Sequence, residues 1–165
     1  MTNKQLANIV VSRLYEQNLQ IATAESCTGG MLASCITSIS GSSNVIEYGI
    51  ISYANRIKQS ELGVLAEDLK AYGAVSKQVA IAMADSVRIK ANADLGVSTT
   101  GFAGPTGGTE ENPVGTVHIA VSTKAKTYHE KLELLDECGN NRDLICQTAV
   151  NRAFTLVLQV LDEIQ

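Results

Sequence analysis

At 165 residues and 17.5 kDa the chain fits one domain, residues 1–165, and 45% hydrophobic residues suffice for a substantial core. The formal net charge of −4 and a pI near 5.2 exclude a binder that neutralises phosphates along a nucleic-acid duplex, which needs a basic face. They leave room for a small anion held by helix N-termini, backbone amides and one or two basic side chains.

Leu6, Ile9, Val10 and Leu14 recur at helical spacing and predict an amphipathic helix over Lys4 to Gln17. No charged-then-apolar leader precedes it, and no apolar run approaches 18 residues, so a cytoplasmic protein without a membrane partner is expected. Leu19 to Ala24 reads as a short buried strand. The segment Glu25 to Gly30 then turns the chain into a helix with Met31, Leu32, Cys35, Ile36 and Ile39 on one face, ended by Gly41-Ser42-Ser43. Val45 to Tyr53 is rich in β-branched and aromatic residues, as strands are.

Two short helices, Ala54 to Leu62 and Ala66 to Tyr72, lead to Ser76, a candidate N-cap for a longer helix over Lys77 to Ala91. Leu95 to Thr99 is a third strand. It feeds the loop Thr100 to Gly115, which holds both prolines and a cluster of glycines, the composition of a shaped surface rather than of packing. Thr116 to Thr123 and Lys126 to Leu135 form an antiparallel hairpin, and Arg142 to Ile164 a long final helix. This order predicts a three-layer α/β/α fold around a mixed sheet with an antiparallel hairpin. Both small-residue segments follow strands, so Ser26 to Gly30 and Gly101 to Gly108 are expected to meet at one cleft.

Ser26 heads a strand-to-helix turn, where a nucleophile finds amides and a helix dipole, but Ser26 or Thr28 could equally cap the helix. A serine needs a base. His118 and His129 lie on the hairpin away from this segment, whereas Lys58 follows Tyr53 closely. On spacing alone Lys58 reads as a solvated surface residue, since only burial would depress its pKa enough for base chemistry. Glu25 orients a water, binds a hydroxyl or is simply solvated, and Arg142 binds an anion or sits exposed at the last helix start. The four cysteines, Cys27, Cys35, Cys138 and Cys146, have neither metal-ligand spacing nor a disulfide pattern and read as reduced thiols. Cys27 is an alternative thiol nucleophile.

The segments Ala24-Glu25-Ser26-Cys27-Thr28-Gly29-Gly30, Gly41-Ser42-Ser43, Ser52-Tyr53-Ala54-Asn55 with Lys58, Gly73-Ala74-Val75-Ser76, Gly101-Phe102-Ala103-Gly104-Pro105 with Gly107-Gly108, and Pro113-Val114-Gly115-Thr116-Val117 resemble the CinA C-terminal domain family. The likeness covers nearly the whole chain. Stand-alone members of that family are nicotinamide mononucleotide (NMN) deamidases, so the resemblance implies hydrolysis of the NMN carboxamide to nicotinate mononucleotide and ammonia, without metal or cofactor. It implies Ser26 as nucleophile, with Tyr53 and Lys58 activating it. The backbone around Thr28, Gly29 and Gly30 is expected to stabilise the oxyanion. Gly101, Ala103, Gly104 and Arg142 are expected to contact the nucleotide.

One departure bears on phosphate binding: the family often carries Gly-Asp-Arg before the last helix and a second Arg inside it. This chain has Gly139-Asn140-Asn141-Arg142 and places Cys146 at the second position. The alternative reading is a non-catalytic nucleotide-binding or competence-related interaction domain. The long last helix and the strand Val45 to Tyr53 permit a contact between copies of the chain, and equally a core.

Overall fold

In the computed structural model, which describes residues 1–164, the chain runs α1 (Asn3–Glu16), β1 (Ile21–Glu25), α2 (Met31–Thr37), a 3-10 turn (Ser42–Asn44) and β2 (Ile46–Ile51). It continues with α3 (Asn55–Leu62), α4 (Ala66–Tyr72), α5 (Lys77–Lys90), β3 (Leu95–Gly101), β4 (Thr116–Ser122), β5 (Thr127–Glu133), α6 (Leu135–Cys138) and α7 (Arg142–Glu163). Among the described residues one sheet forms in the order β2-β1-β3-β4-β5. β2, β1 and β3 are parallel, and β4 and β5 add antiparallel ladders. The expected three-layer α/β/α architecture is observed.

Alternation along the strands sorts side chains between the two helical layers. Ile21, Val97 and Ile119 face α1, α2 and α7, where Leu14, Ile36, Phe154 and Leu161 complete a large aliphatic core. Ala22 and Ala24 face the other way, toward Leu62 of α3 and Val79, Met83 and Val87 of α5. α7 is long and apolar enough to cross a bilayer by length and composition, but its apolar residues are spent on this core. Ser76 caps α5 as expected, its hydroxyl accepting the Val79 amide.

The differences from the sequence reading lie at element ends. β3 extends through Thr100 and Gly101, because β4 keeps pairing with it there, so the loop begins at Phe102. Gly101 is required at that point: a Cβ would meet the Thr116 carbonyl oxygen and Val117 at 2.7 Å. The loop is closed by backbone bonds, Gly115 N–H to the Phe102 carbonyl and Thr109 N–H to the Asn112 carbonyl, which makes it a built surface. A short helix, α6, ends the hairpin two residues early. Glu25 aligns with Ile51 of β2 and with Thr99 of β3, so the segments after all three parallel strands emerge at one end of the sheet.

α5 crosses β3 so closely at Gly96 that a Cβ there would lie 2.7 Å from Arg88 Cβ and 2.9 Å from the Arg88 nitrogen, and would collide with the Ala84 carbonyl. Gly96→Ala should therefore destabilise the fold by about 1–3 kcal/mol, the usual cost of overpacking. Urea unfolding followed by circular dichroism measures it, and an unchanged midpoint would contradict this packing.

Candidate active site

At the end of β1 two consecutive residues are sent to opposite layers. Glu25 points toward α2, and Ser26 lies on the α3 side, kept in register by its N–H bond to the Thr99 carbonyl at 2.9 Å. α3 starts four residues after β2 ends and turns Lys58 inward. Only 1% of Lys58 is exposed, and its Nζ donates to Ser26 Oγ at 2.9 Å and to the Ser52 carbonyl at 2.7 Å. The surface lysine suggested by spacing is thus a buried one. Burial pushes its pKa below the ordinary 10.5, with the neighbouring Cys27 opposing weakly. A neutral amine donating one hydrogen to Ser52 keeps a lone pair for the Ser26 proton.

Ser26 and Lys58 open onto a cavity of about 210 Å³, also lined by Cys27, Tyr53, Asn55, Ala74, Val75, Thr100, Gly101, Phe102, Ala103 and Arg142. The two glycine-containing segments therefore do converge. Its ionisable lining includes a lysine and an arginine and no carboxylate, so it suits an anion. A larger groove of about 590 Å³ between α1, α2 and α7 holds no comparable nucleophile and base.

Arg142 is the first residue of α7, and its guanidinium donates to the Gly104 carbonyl and to the Tyr53 hydroxyl, both at 2.8 Å. Both partners are uncharged, so its positive charge stays available to a ligand. Tyr53 is 59% exposed and bonded to Arg142, not to Ser26 or Lys58. In this structure it stands at the cavity rim, apart from the hydrogen-bonded pair expected to include it. Gly104 contributes its carbonyl to Arg142 and leaves no room for a side chain, since a Cβ would meet Val114 Cγ1 at 2.5 Å. Ala103 is buried in the cavity wall.

The turn after Ser26 is organised differently from the expectation. Neither Ser26 nor Thr28 caps α2. The Glu25 carboxylate, 1% exposed, accepts the amides of Gly30 at 3.2 Å, Leu32 at 3.0 Å and Ala33 at 2.8 Å, and the Thr28 hydroxyl. Thr28 Oγ1 also meets Thr99 Oγ1 at 2.7 Å, so that hydroxyl is occupied within the protein. The Gly29 amide donates to the Ser26 carbonyl at 3.1 Å. Gly29 and Gly30, expected to offer amides to an oxyanion, have thus already spent them. Among the described residues the Cys27 and Thr28 amides have no protein acceptor. Sequence reasoning missed Glu25 because an acidic residue in a turn ordinarily signals solvent; its place at the odd, α2-facing end of β1 was the available clue.

Cys27 is buried and its thiol is pushed up to about 12, chiefly by desolvation, with Cys146 adding to the rise. Burial thus favours the neutral thiol and argues against the thiolate alternative. Cys146, at the position where a basic residue was expected, is buried and donates its Sγ–H to the Cys27 carbonyl at 3.3 Å. His118 and His129 pair with each other at 2.8 Å on the hairpin, and neither lines the cavity.

A family model described as the CinA C-terminal domain matches residues 3–161. The chain belongs to the CinA C-terminal domain family. A competence-damage inducible protein of Caldanaerobacter subterraneus subsp. tengcongensis is 44% identical over 160 residues, 97% of this chain and 38% of that protein. The chain thus spans well under half the length of the curated relatives it matches. The crystal structure of the competence/damage inducible protein CihA from Agrobacterium tumefaciens superimposes with a TM-score of 0.91 at 36% identity, covering 97% of this chain and 95% of that one. The competence damage-inducible protein A of Klebsiella pneumoniae gives 0.94 at 27% identity over both full chains.

The lowered Lys58 pKa fixes the sign of a pH effect on stability. Between that value and 10.5 the unfolded chain binds the extra proton, so stability rises with pH across this window and is lowest where both states are charged. Urea unfolding at a series of pH values should show the wild type gaining stability relative to Lys58→Met as pH climbs. A constant difference would mean that Lys58 titrates as an exposed lysine.

Proposed function

We propose that this chain is a serine amidohydrolase that converts NMN to nicotinate mononucleotide and ammonia. The observation that carries the reading is the buried bond between Lys58 Nζ and Ser26 Oγ, at 2.9 Å in a cavity that Arg142 also lines. The family, which includes NMN amidohydrolases, supplies the substrate.

Neutral Lys58 takes the Ser26 proton as Oγ bonds to the carboxamide carbon. The tetrahedral oxyanion is received by the unspent Cys27 and Thr28 amides. Lys58 returns its proton to the departing nitrogen, the C–N bond breaks and ammonia leaves an acyl-Ser26. A water, deprotonated by Lys58, then attacks the acyl carbon, releases the carboxylate product and restores the Ser26 hydroxyl. Arg142 holds the 5′-phosphate, exchanging its uncharged partners for an anion. Tyr53, released from Arg142 by that exchange, can turn its hydroxyl toward the reacting centre. The reaction uses only side chains, backbone amides and water, and proceeds in the cytoplasm.

Ammonia and nicotinate mononucleotide formation from NMN tests this. Ser26→Ala should lower kcat at least about 1,000-fold, and Lys58→Arg comparably, because arginine cannot accept the proton. Wild-type activity should rise with pH through the depressed Lys58 pKa. Arg142→Ala should raise KM for NMN by roughly 10- to 100-fold, the worth of a charge-assisted hydrogen bond. A folded wild type that binds NMN without turnover would replace the enzyme with a nucleotide-binding domain.

A further inference from the structure

We propose that Glu25 is a positioning residue for Ser26: its carboxylate occupies the amide-rich start of α2 and thereby fixes the nucleophile turn. The proposal rests on the reading of Ser26 as nucleophile. Four donors converge on one buried carboxylate, the Gly30, Leu32 and Ala33 amides and the Thr28 hydroxyl. The Glu25 backbone serves the other side. Its carbonyl accepts the Ser52 amide at 2.8 Å, while the Ser52 carbonyl accepts Lys58 Nζ at 2.7 Å. One residue therefore anchors both the turn that carries Ser26 and the strand end that holds Lys58.

Charge placement argues the same way. A carboxylate beside the reacting serine would disfavour a developing oxyanion, yet Glu25 lies on the opposite layer and its charge is met by helix amides. Removing the charge while keeping the shape leaves those amides facing a group that can accept fewer of them. The turn then loses its reference, and with it the alignment of Ser26 on Lys58. Misplacement on the ångström scale costs roughly 100-fold in rate.

The test compares wild type, Glu25→Gln and the milder Thr28→Val, each checked for folding by circular dichroism. The readout is the rate at which a fluorophosphonate probe modifies Ser26, followed by mass spectrometry across pH. In that step the Oγ–P bond forms, the P–F bond breaks, fluoride leaves and Lys58 takes the proton. Glu25→Gln should react roughly 10- to 100-fold more slowly at every pH, with Thr28→Val intermediate and the pH at half-maximal rate unmoved. Folded variants that react at the wild-type rate would overturn the proposal. So would a slow rate explained by a shifted pH profile, since Glu25 would then act through the charge on Lys58. If Glu25→Gln does not fold, Thr28→Val decides by the same criteria. NMN turnover is measured alongside: a wild type modified at Ser26 that leaves NMN intact refutes the substrate while the Glu25 comparison still stands. A wild type not modified at Ser26 refutes both.

Discussion

A lysine amine with 1% of its surface exposed, bonded to a serine hydroxyl, is the constraint around which this end of the molecule is arranged. An isolated ammonium taken out of water costs several kcal/mol, and such groups relieve the cost by losing their proton. The fold provides Lys58 with two oxygen neighbours and no carboxylate partner among its hydrogen bonds. A salt bridge would hold the proton on the amine. The Ser52 carbonyl instead satisfies a hydrogen of either protonation state and leaves the choice to burial.

The placement of carboxylate and nucleophile on opposite sides of β1 follows from strand geometry alone. Successive side chains alternate, so Glu25 and Ser26 cannot share a layer while the strand continues. Ser26 still bonds Thr99 in the ladder, and the alternation reaches it. The carboxylate falls beneath the α2 start, where amide dipoles make it welcome, and the hydroxyl falls beside α3. Sheet pairing thus separates a negative charge from the site without any residue devoted to that purpose.

Much of this was legible in the sequence, and the exceptions share a cause. The apolar periodicities of α1, α5 and α7 and the β-branched runs located the elements within a few residues, since those patterns are local. The convergence of the 26–30 and 101–108 segments followed from their shared position after parallel strands. Spacing alone put Lys58 in solvent, where the family resemblance put it in the site, because its burial depends on how α3 packs, a tertiary fact that Ser52 to Lys58 do not encode. Glu25 was misread for the same reason: whether a turn carboxylate faces water or helix amides is decided by α2 packing. The backbone around Thr28, Gly29 and Gly30 was expected at an oxyanion, whereas the Gly29 amide closes the turn on the Ser26 carbonyl and the Gly30 amide reaches Glu25.

The adjacent residues Ser26 and Cys27 show environment overruling intrinsic reactivity. A thiolate is the stronger nucleophile, but forming one requires an environment that favours the anion. Cys27 is buried among apolar neighbours and beside a second thiol, which raises its pKa to about 12 and keeps the proton on sulfur. The Cys146 Sγ–H also donates to the Cys27 carbonyl, tying α7 to the nucleophile turn through the backbone rather than through the thiol. Ser26, the weaker nucleophile in isolation, lies against an amine that burial biases toward its basic form. Desolvation is the larger cause of the Cys27 rise and the Cys146 thiol only adds to it, so burial keeps Cys27 inert and leaves Ser26 with the base.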